Sequence, residues 1–216
     1  MILRGRRSAR IAVTLVLAGA TAGGIFAVRA PILRSVGSML VISEPLSPVD
    51  VVVISVDGGA AAVLEAADLV HAHLANRVAV FADPPDAVDR EFIRRGIPYE
   101  DRAAQSQRLL ALLGVENVER IPRPASGTES EGRILPDWCD DRHFRTVAVV
   151  TTPDHSRRMG RVLQRAMKGR ATKVIVRPTR YSSFDPDRWW QTRSGMRTGI
   201  VELQKLVLDF ARHPIS

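Results

Sequence analysis

Residues Thr146–Gly160 read Thr-Val-Ala-Val-Val-Thr-Thr-Pro-Asp-His-Ser-Arg-Arg-Met-Gly. Within this stretch, Val147–Val150 has the length and the β-branched composition of a buried strand. Two threonines and a proline end the strand, and a basic helical pattern begins near Asp154 or His155. A strand that leads directly into a helix brings unpaired backbone N–H groups and the positive end of the helix dipole together. The stretch therefore predicts an α/β protein with a ligand crevice after this strand.

Three side chains in the first turn of this helix are basic: His155, Arg157 and Arg158. Positive charge is unfavourable at a helix N-terminus, so helix stability does not explain their position. A solvated basic helix start is one interpretation, and a binding site for an anionic ligand is the other.

Four further apolar segments have the length of strands: Asp50–Val56, Arg77–Ala82, Val118–Ile121 and Thr172–Val176. Helical patterns separate them. Strands that are apolar throughout and alternate with helices predict a parallel sheet covered on both faces. We therefore expect a Rossmann-like three-layer α/β/α sandwich with a mostly parallel sheet, formed by residues 48–216 as one domain.

The N-terminal region predicts a membrane location. Ile11–Val28 contains no charged residue and follows an arginine-rich flank, residues 1–10. Such a run is long enough to span a bilayer once, and the preceding arginines favour a cytoplasmic N-terminus and an extracytoplasmic remainder. Residues 29–47 then form a juxtamembrane connector. A cleaved signal peptide is the alternative, because Ala20-Thr21-Ala22 has the small residues of a cleavage site.

The charge distribution is uneven and narrows the choice of partner. The formal net charge is +8, yet residues 142–180 hold 11 basic residues and a single acidic one, Asp154. No aromatic interleaving or nucleic-acid-binding motif accompanies the basic region, so we expect no nucleic-acid partner. A phosphate-bearing small molecule or a lipid headgroup fits the local charge better.

Neither a metal nor a cofactor is expected. Cys139 is the only cysteine, so it forms no intramolecular disulfide, and no histidine is placed by local spacing to form a Cys-His dyad with it. The glycine pattern of dinucleotide-binding proteins does not follow the first strand.

Candidate site residues follow the predicted strands. Asp57-Gly58-Gly59 is either a close approach of the backbone to a ligand or a plain tight turn. Thr128 and Glu131 have the spacing of a capping box, and a role in the site is equally compatible with them. Thr151 and Thr152 precede His155. Near the C-terminus, Trp189 and Trp190 are interpreted as cap packing, and Glu202 and Lys205 as a surface pair or as site residues.

Taken in order, these pieces resemble the YdcF/SanA/ElyC family of bacterial envelope proteins, whose domain has no settled function. The resemblance rests on the following residues: Pro48, Asp50, Gly58 and Gly59; Gly127, Thr128 and Glu131; Thr151, Thr152, His155 and Arg158; Trp189, Trp190, Glu202 and Lys205. It covers nearly all of residues 40–212. Two departures stand out, since Ala60-Ala61-Ala62-Val63 lacks the family's early arginine and Ala82-Asp83-Pro84 replaces its Ser-Gly.

The resemblance implies a Rossmann-like fold and an envelope location at the bacterial cytoplasmic membrane. Two functions are compatible with it. A non-catalytic protein would bind or sense an anionic envelope ligand through the crevice. An enzyme acting on a phosphorylated or lipid-linked cell-wall precursor would use His155 as general acid or base and Glu131 as base or histidine partner. In both, Arg157 or Arg158 would clamp the charge and Thr151 and Thr152 would orient the ligand.

Overall fold

The computed structural model describes residues 28–214. The strands are β1 (Val51–Ile54), β2 (Val78–Phe81), β3 (Val118–Ile121), β4 (Thr146–Thr151) and β5 (Lys173–Pro178). The helices are α1 (28–38), α2 (Gly59–His71), α3 (Ala87–Arg94), α4 (Arg102–Leu112), α5 (Thr128–Asp141), α6 (Pro153–Ala166) and α7 (Arg193–Arg212).

The five strands form one parallel sheet in the order β3-β2-β1-β4-β5. This confirms the predicted α/β fold and the existence of all five predicted strands. Helix α2 ends at His71. His73 has a positive φ of 56°, a conformation that cannot continue a right-handed helix.

Successive residues of each strand face opposite sides of the sheet, which gives the sheet one core on each face. Val52, Ile54 and Val150 pack with α2 and α4 on one side. Val51, Val53 and Val149 pack with α5 and α6 on the other. Burial on both faces explains why β1 and β2, which are buried throughout, contain no polar residues.

The order in which the strands join the sheet reverses at the neighbouring strands β1 and β4, which form the switch point of the sheet. From β1 the chain adds β2 and β3 on one side, and then it crosses back to add β4 and β5 on the other. The loops that follow β1 and β4 therefore diverge to opposite faces of the sheet and leave a crevice between them.

The segment before β1 packs onto α6. Arg157 donates hydrogen bonds from its side chain to the carbonyl oxygens of Met39 and Val41, each at 2.8 Å, and Ile42 N donates to Ser156 Oγ at 2.9 Å. Leu40 is buried in a third core.

Among residues 28–214, none of the helices has the length and hydropathy of a membrane span. The predicted anchor, residues 11–28, lies outside the described residues except for Val28.

Candidate functional site

The carboxyl ends of β1 and β4 are joined by a buried hydrogen bond, which fixes the floor of the crevice. Ser55 Oγ donates to Thr151 Oγ1 at 3.1 Å, and both side chains are buried. Thr151 is thus placed next to the site as predicted, but its hydroxyl is occupied within the protein. Thr152 precedes α6, and its Oγ1 is buried without a hydrogen-bond partner.

A cleft of about 550 Å³ opens beside the N-terminus of α6. Its polar lining comprises Asp57, Thr152, Asp154, His155, Ser182, Ser183, Thr192, Ser194 and Thr198. Phe184 and Gly195 complete the wall. Hydroxyl groups thus outnumber ionisable groups in the lining, which suits a polar ligand rich in oxygen atoms.

His155 lies at this cleft and is held by a carboxylate from α7. Its Nδ1 is 2.8 Å from Glu202 Oε2, and its Nε2 is 3.5 Å from Asp154 Oδ2. An ionised carboxylate can only accept, so the hydrogen at Nδ1 is donated to Glu202. Of the two ring nitrogens, Nε2 has the longer contact, with Asp154 at 3.5 Å, and we therefore assign proton exchange with a ligand to Nε2.

Glu202 is the centre of a buried charge cluster. Besides His155, it contacts Arg158 Nε at 3.2 Å and Lys205 Nζ at 2.6 Å. The predicted pair of Glu202 and Lys205 is therefore present, but Glu202 is only 2% exposed and the pair is not a simple surface contact.

The pKa values of His155 and Glu202 are shifted in opposite directions. Burial alone would lower the pKa of His155, but the hydrogen bond and the charge of Glu202, with Asp154 and Asp57, raise it above 6.5. Burial would raise the pKa of Glu202, but His155, Lys205 and Arg158 bring it down to about 2. At neutral pH, His155 therefore carries its proton more often than a free histidine does, while Glu202 stays ionised.

Glu131 lies on α5, at the same end of the sheet. Its Oε1 accepts a hydrogen bond from Val56 N at 2.7 Å, and its Oε2 is buried without a partner. Burial raises the pKa of Glu131 to about 7, against the lowering effect of the Val56 hydrogen bond, and the negative charge of Asp57 adds to the rise. A carboxyl group with such a pKa can accept or release a proton near neutral pH.

The capping-box interpretation of Thr128 and Glu131 was wrong. Gly127 is the N-cap of α5, no side chain caps it, and its φ of 138° favours glycine. Thr128 Oγ1 is buried without a hydrogen-bond partner. Glu131 reaches across to the loop after β1 because α5 presents that side chain to the sheet and not to its own N-terminus.

The two candidate arginines, Arg157 and Arg158, have different partners in the fold. Arg158 contacts Glu202 and lies beside His155. Arg157 points to the segment before β1 and is occupied by two carbonyl oxygens there. Arg157 is therefore a structural residue, which corrects its predicted role as a charge clamp. Residues one position apart on a helix point about 100° away from each other, and the sequence alone could not tell which of the two faces the site.

The glycine pair after β1 has structural reasons for its presence. A Cβ on Gly58 would lie 2.5 Å from Ala62 Cβ, and Gly59 has a φ of 55° where α2 begins. The tight-turn interpretation accounts for both residues. Asp57 beside them lines the cleft, as predicted.

Sequence reasoning missed most of the hydroxyl-bearing wall. Ser182, Ser183, Thr192, Ser194 and Thr198 come from the loop after β5 and from the start of α7. The sequence could have indicated this wall, because the loop after a parallel strand lies at the same edge of the sheet as the other candidate residues. The high density of serine and threonine in residues 182–198 could have drawn attention to it.

A second cleft, of about 510 Å³, adjoins the first at Asp57. It is lined by Asp57, Asp83, Asp86, Asp89 and Glu100. Asp83 contacts Arg102, and Asp86 and Asp89 cap α3, so most of these carboxylates have roles in the fold. The charge makes this cleft unsuited to an anion.

In the part of the chain that the structure describes, no three histidine, cysteine, aspartate or glutamate side chains are grouped so that they could hold a metal ion. The fold and the crevice define a Rossmann-like α/β protein with its candidate site at the switch point of the sheet. No family model matches the chain, and no curated protein matches it either.

Proposed function

We propose that the chain is a membrane-anchored, extracytoplasmic YdcF-like protein of the bacterial envelope, and that its cleft binds a phosphate-bearing ligand and acts on it by acid–base chemistry. The observation that carries the proposal is the contact of His155 Nδ1 with Glu202 Oε2 at 2.8 Å, with the imidazole at the cleft. A histidine oriented by a carboxylate is the arrangement that proton transfer requires.

Few charged groups of the protein would contact the proposed ligand. His155 provides a positive charge, and the N-terminus of α6 favours an anion near its free N–H groups. Asp57 and Asp154 add negative charge to the same cleft. Hydroxyl groups, and not a cluster of arginines, therefore make up the rest of the proposed ligand contacts.

In a hydrolytic reaction, a water oxygen would form the new bond to phosphorus while the bond to the leaving oxygen breaks. His155 would give its Nε2 proton to that leaving oxygen. Glu202, and not Glu131, is the partner of His155, and Glu131 is buried outside the lining of the cleft. Asp57, a carboxylate that lines the same cleft, would take the proton of the water.

A binding or sensing protein without turnover is the second candidate. It is favoured by the engagement of both candidate arginines within the protein. Phosphoryl transfer relies on cations that stabilise the charge of the transition state, and His155 is the only one of the three predicted cations that lines the cleft.

Thermal unfolding of the full-length protein in detergent tests the proposal with phosphate, pyrophosphate, prenyl phosphates and nucleotide sugars. A ligand at 100 times its Kd stabilises the folded state by about 2.7 kcal/mol, which corresponds to several degrees for a domain of this size. The shift should vanish in His155→Gln and persist in His71→Gln, which changes an exposed histidine of α2.

Release of inorganic phosphate from the ligands that bind then separates the two candidates. Turnover that is lost in His155→Gln supports the enzyme, and binding without turnover supports the sensor. If none of the compounds shifts the unfolding temperature, the phosphate site is refuted.

A further inference from the structure

The outward face of α7 exposes several large apolar side chains, whereas the outward face of a surface helix is normally polar. Its buried face consists of Gly195, Gly199, Glu202, Leu206 and Asp209. The opposite face exposes Met196, Ile200, Val201, Val207 and Leu208. We call these five residues the α7 outer face. These exposed apolar side chains share the outward face of α7 with the exposed Arg197 and Gln204, and a face of this mixed composition indicates a contact with an amphipathic surface.

The acidic residues of α7 are buried, whereas its arginines are exposed. Both of its acidic residues are buried and neutralised, Glu202 by Arg158 and Lys205 and Asp209 by Arg161 and Arg165. Arg193 and Arg212 are exposed at the two ends of the helix, and Arg197 is exposed beside Met196. An apolar face flanked by basic residues complements an anionic lipid surface.

The position of α1 brings this face close to the predicted anchor. The uncharged run of residues 11–28 ends at the first described residue of α1, and the first acidic residue of the chain is Glu44. Leu33, five residues beyond Val28, is already fixed to the domain, because Trp189 Nε1 donates to its carbonyl oxygen at 2.8 Å. Five residues of helix span about 8 Å.

One core joins α1 to α7. Leu33 and Val36 of α1 pack with Trp189 and with Leu206 of α7. The outer face of α7 thus belongs to the part of the domain that directly follows the apolar run, whereas α4 lies on the other side of the sheet.

We propose that the α7 outer face rests on the surface of an anionic lipid bilayer, so that the domain lies against the membrane and does not extend freely from it. This inference rests on the membrane anchor of the proposed function, but not on the ligand of the cleft. A docked α7 would hold the hydroxyl-bearing wall of the cleft, which includes Ser194 and Thr198 at its N-terminal end, near the lipid headgroups.

Fluorescence quenching by brominated lipids tests the inference on the full chain. A single cysteine with an environment-sensitive label is placed at Val207→Cys, where the native side chain is 64% exposed, or at Leu112→Cys on α4, where it is 78% exposed. Cys139 is fully buried, and burial raises the pKa of its thiol to about 12, so it does not compete for the label.

In vesicles of phosphatidylglycerol, the label at position 207 should lose fluorescence to brominated lipid, and the label at 112 should not. The double variant Arg193→Gln, Arg197→Gln should weaken the quenching, most of all at low salt. Equal and weak quenching at both positions would overturn the inference. Self-quenching between labels at position 207 would assign the face to a second copy of the chain and would also overturn it.

Extraction at alkaline pH separates this inference from the anchor. If the chain leaves the membrane at alkaline pH yet position 207 is quenched at neutral pH, the anchor fails and the docking face stands. If the chain resists extraction and position 207 is not quenched, the anchor stands and the docking face fails.

Discussion

His155 Nδ1 lies 2.8 Å from Glu202 Oε2, so that the first turn of α6 and the middle of α7 are joined by a charged hydrogen bond at the edge of the cleft. This contact joins residues 47 positions apart in the chain. It orients the imidazole and also raises its pKa, because the hydrogen bond and charge of Glu202, together with the charges of Asp154 and Asp57, outweigh the effect of burial.

Replacing Glu202 with glutamine should lower the pKa of His155. Without the negative charge, burial favours the neutral imidazole. Titration of the His155 ring signals by NMR measures the change. The matched control is Asp209→Asn, which removes the other buried carboxylate of α7. Both variants should be destabilised by several kcal/mol, since each leaves buried arginines uncompensated. An equal fall of the His155 pKa in both would contradict the assignment of Glu202 as its partner.

Replacing Glu131 with glutamine should remove a pH dependence of stability. The pKa of Glu131 is about 7 in the folded protein and 4.5 as its reference value, so the folded state binds this proton more tightly. The free energy of unfolding should therefore fall as pH rises from 4.5 through 7, by about 3 kcal/mol in total.

Urea unfolding at pH 5 and pH 8 measures the effect. Glu131→Gln keeps the oxygen that accepts from Val56 N and should lack the fall. Glu129→Gln, on an exposed residue of the same helix, should retain it. If the wild type and Glu131→Gln change in parallel with pH, Glu131 is not the group responsible.

Replacing Arg157 with glutamine should loosen the segment before β1 and leave the cleft intact. The variant loses two charged hydrogen bonds to the carbonyl oxygens of Met39 and Val41, at a cost of about 1–3 kcal/mol. Faster hydrogen exchange of residues 39–43 would show that the segment before β1 has loosened. The control Arg90→Gln removes a hydrogen bond to Pro85 O in an exposed loop and should change neither property. Loss of ligand binding in Arg157→Gln, with the fold retained, would restore this residue to the site.

Replacing Gly199 with alanine should destabilise the protein by about 1–3 kcal/mol through overpacking. The added Cβ would lie 2.5 Å from Cε3 of Trp189, a buried ring that is fixed between α1 and α7. Gly160→Ala on α6 is the control, because its nearest contact would be an ordinary 3.6 Å to Ile42. That variant should be neutral or slightly more stable, since alanine favours helix. Thermal unfolding compares the two, and equal stability of both would contradict the packing argument.

The sequence determined the sheet and the edge at which the site lies. Runs such as Val147–Val150 are apolar on both sides, and this pattern fits only a strand covered on two faces. Chain order then placed the polar residues after each strand at one edge of the sheet. His155 and Asp57 could be assigned to the crevice on this basis alone, because local sequence fixes where a strand ends and a helix begins.

Only the tertiary structure decided which side chains meet. Arg157 and Arg158 are neighbours in the sequence, yet one holds the segment before β1 and the other holds Glu202. Glu131 has the spacing of a helix cap and instead reaches the loop after β1. Spacing constrains a residue only against its own helix, whereas its partners in the fold depend on how the helices pack on the sheet. The orphaned oxygen of Glu131 and the apolar outer face of α7 have their origin in that packing, which no local pattern specifies.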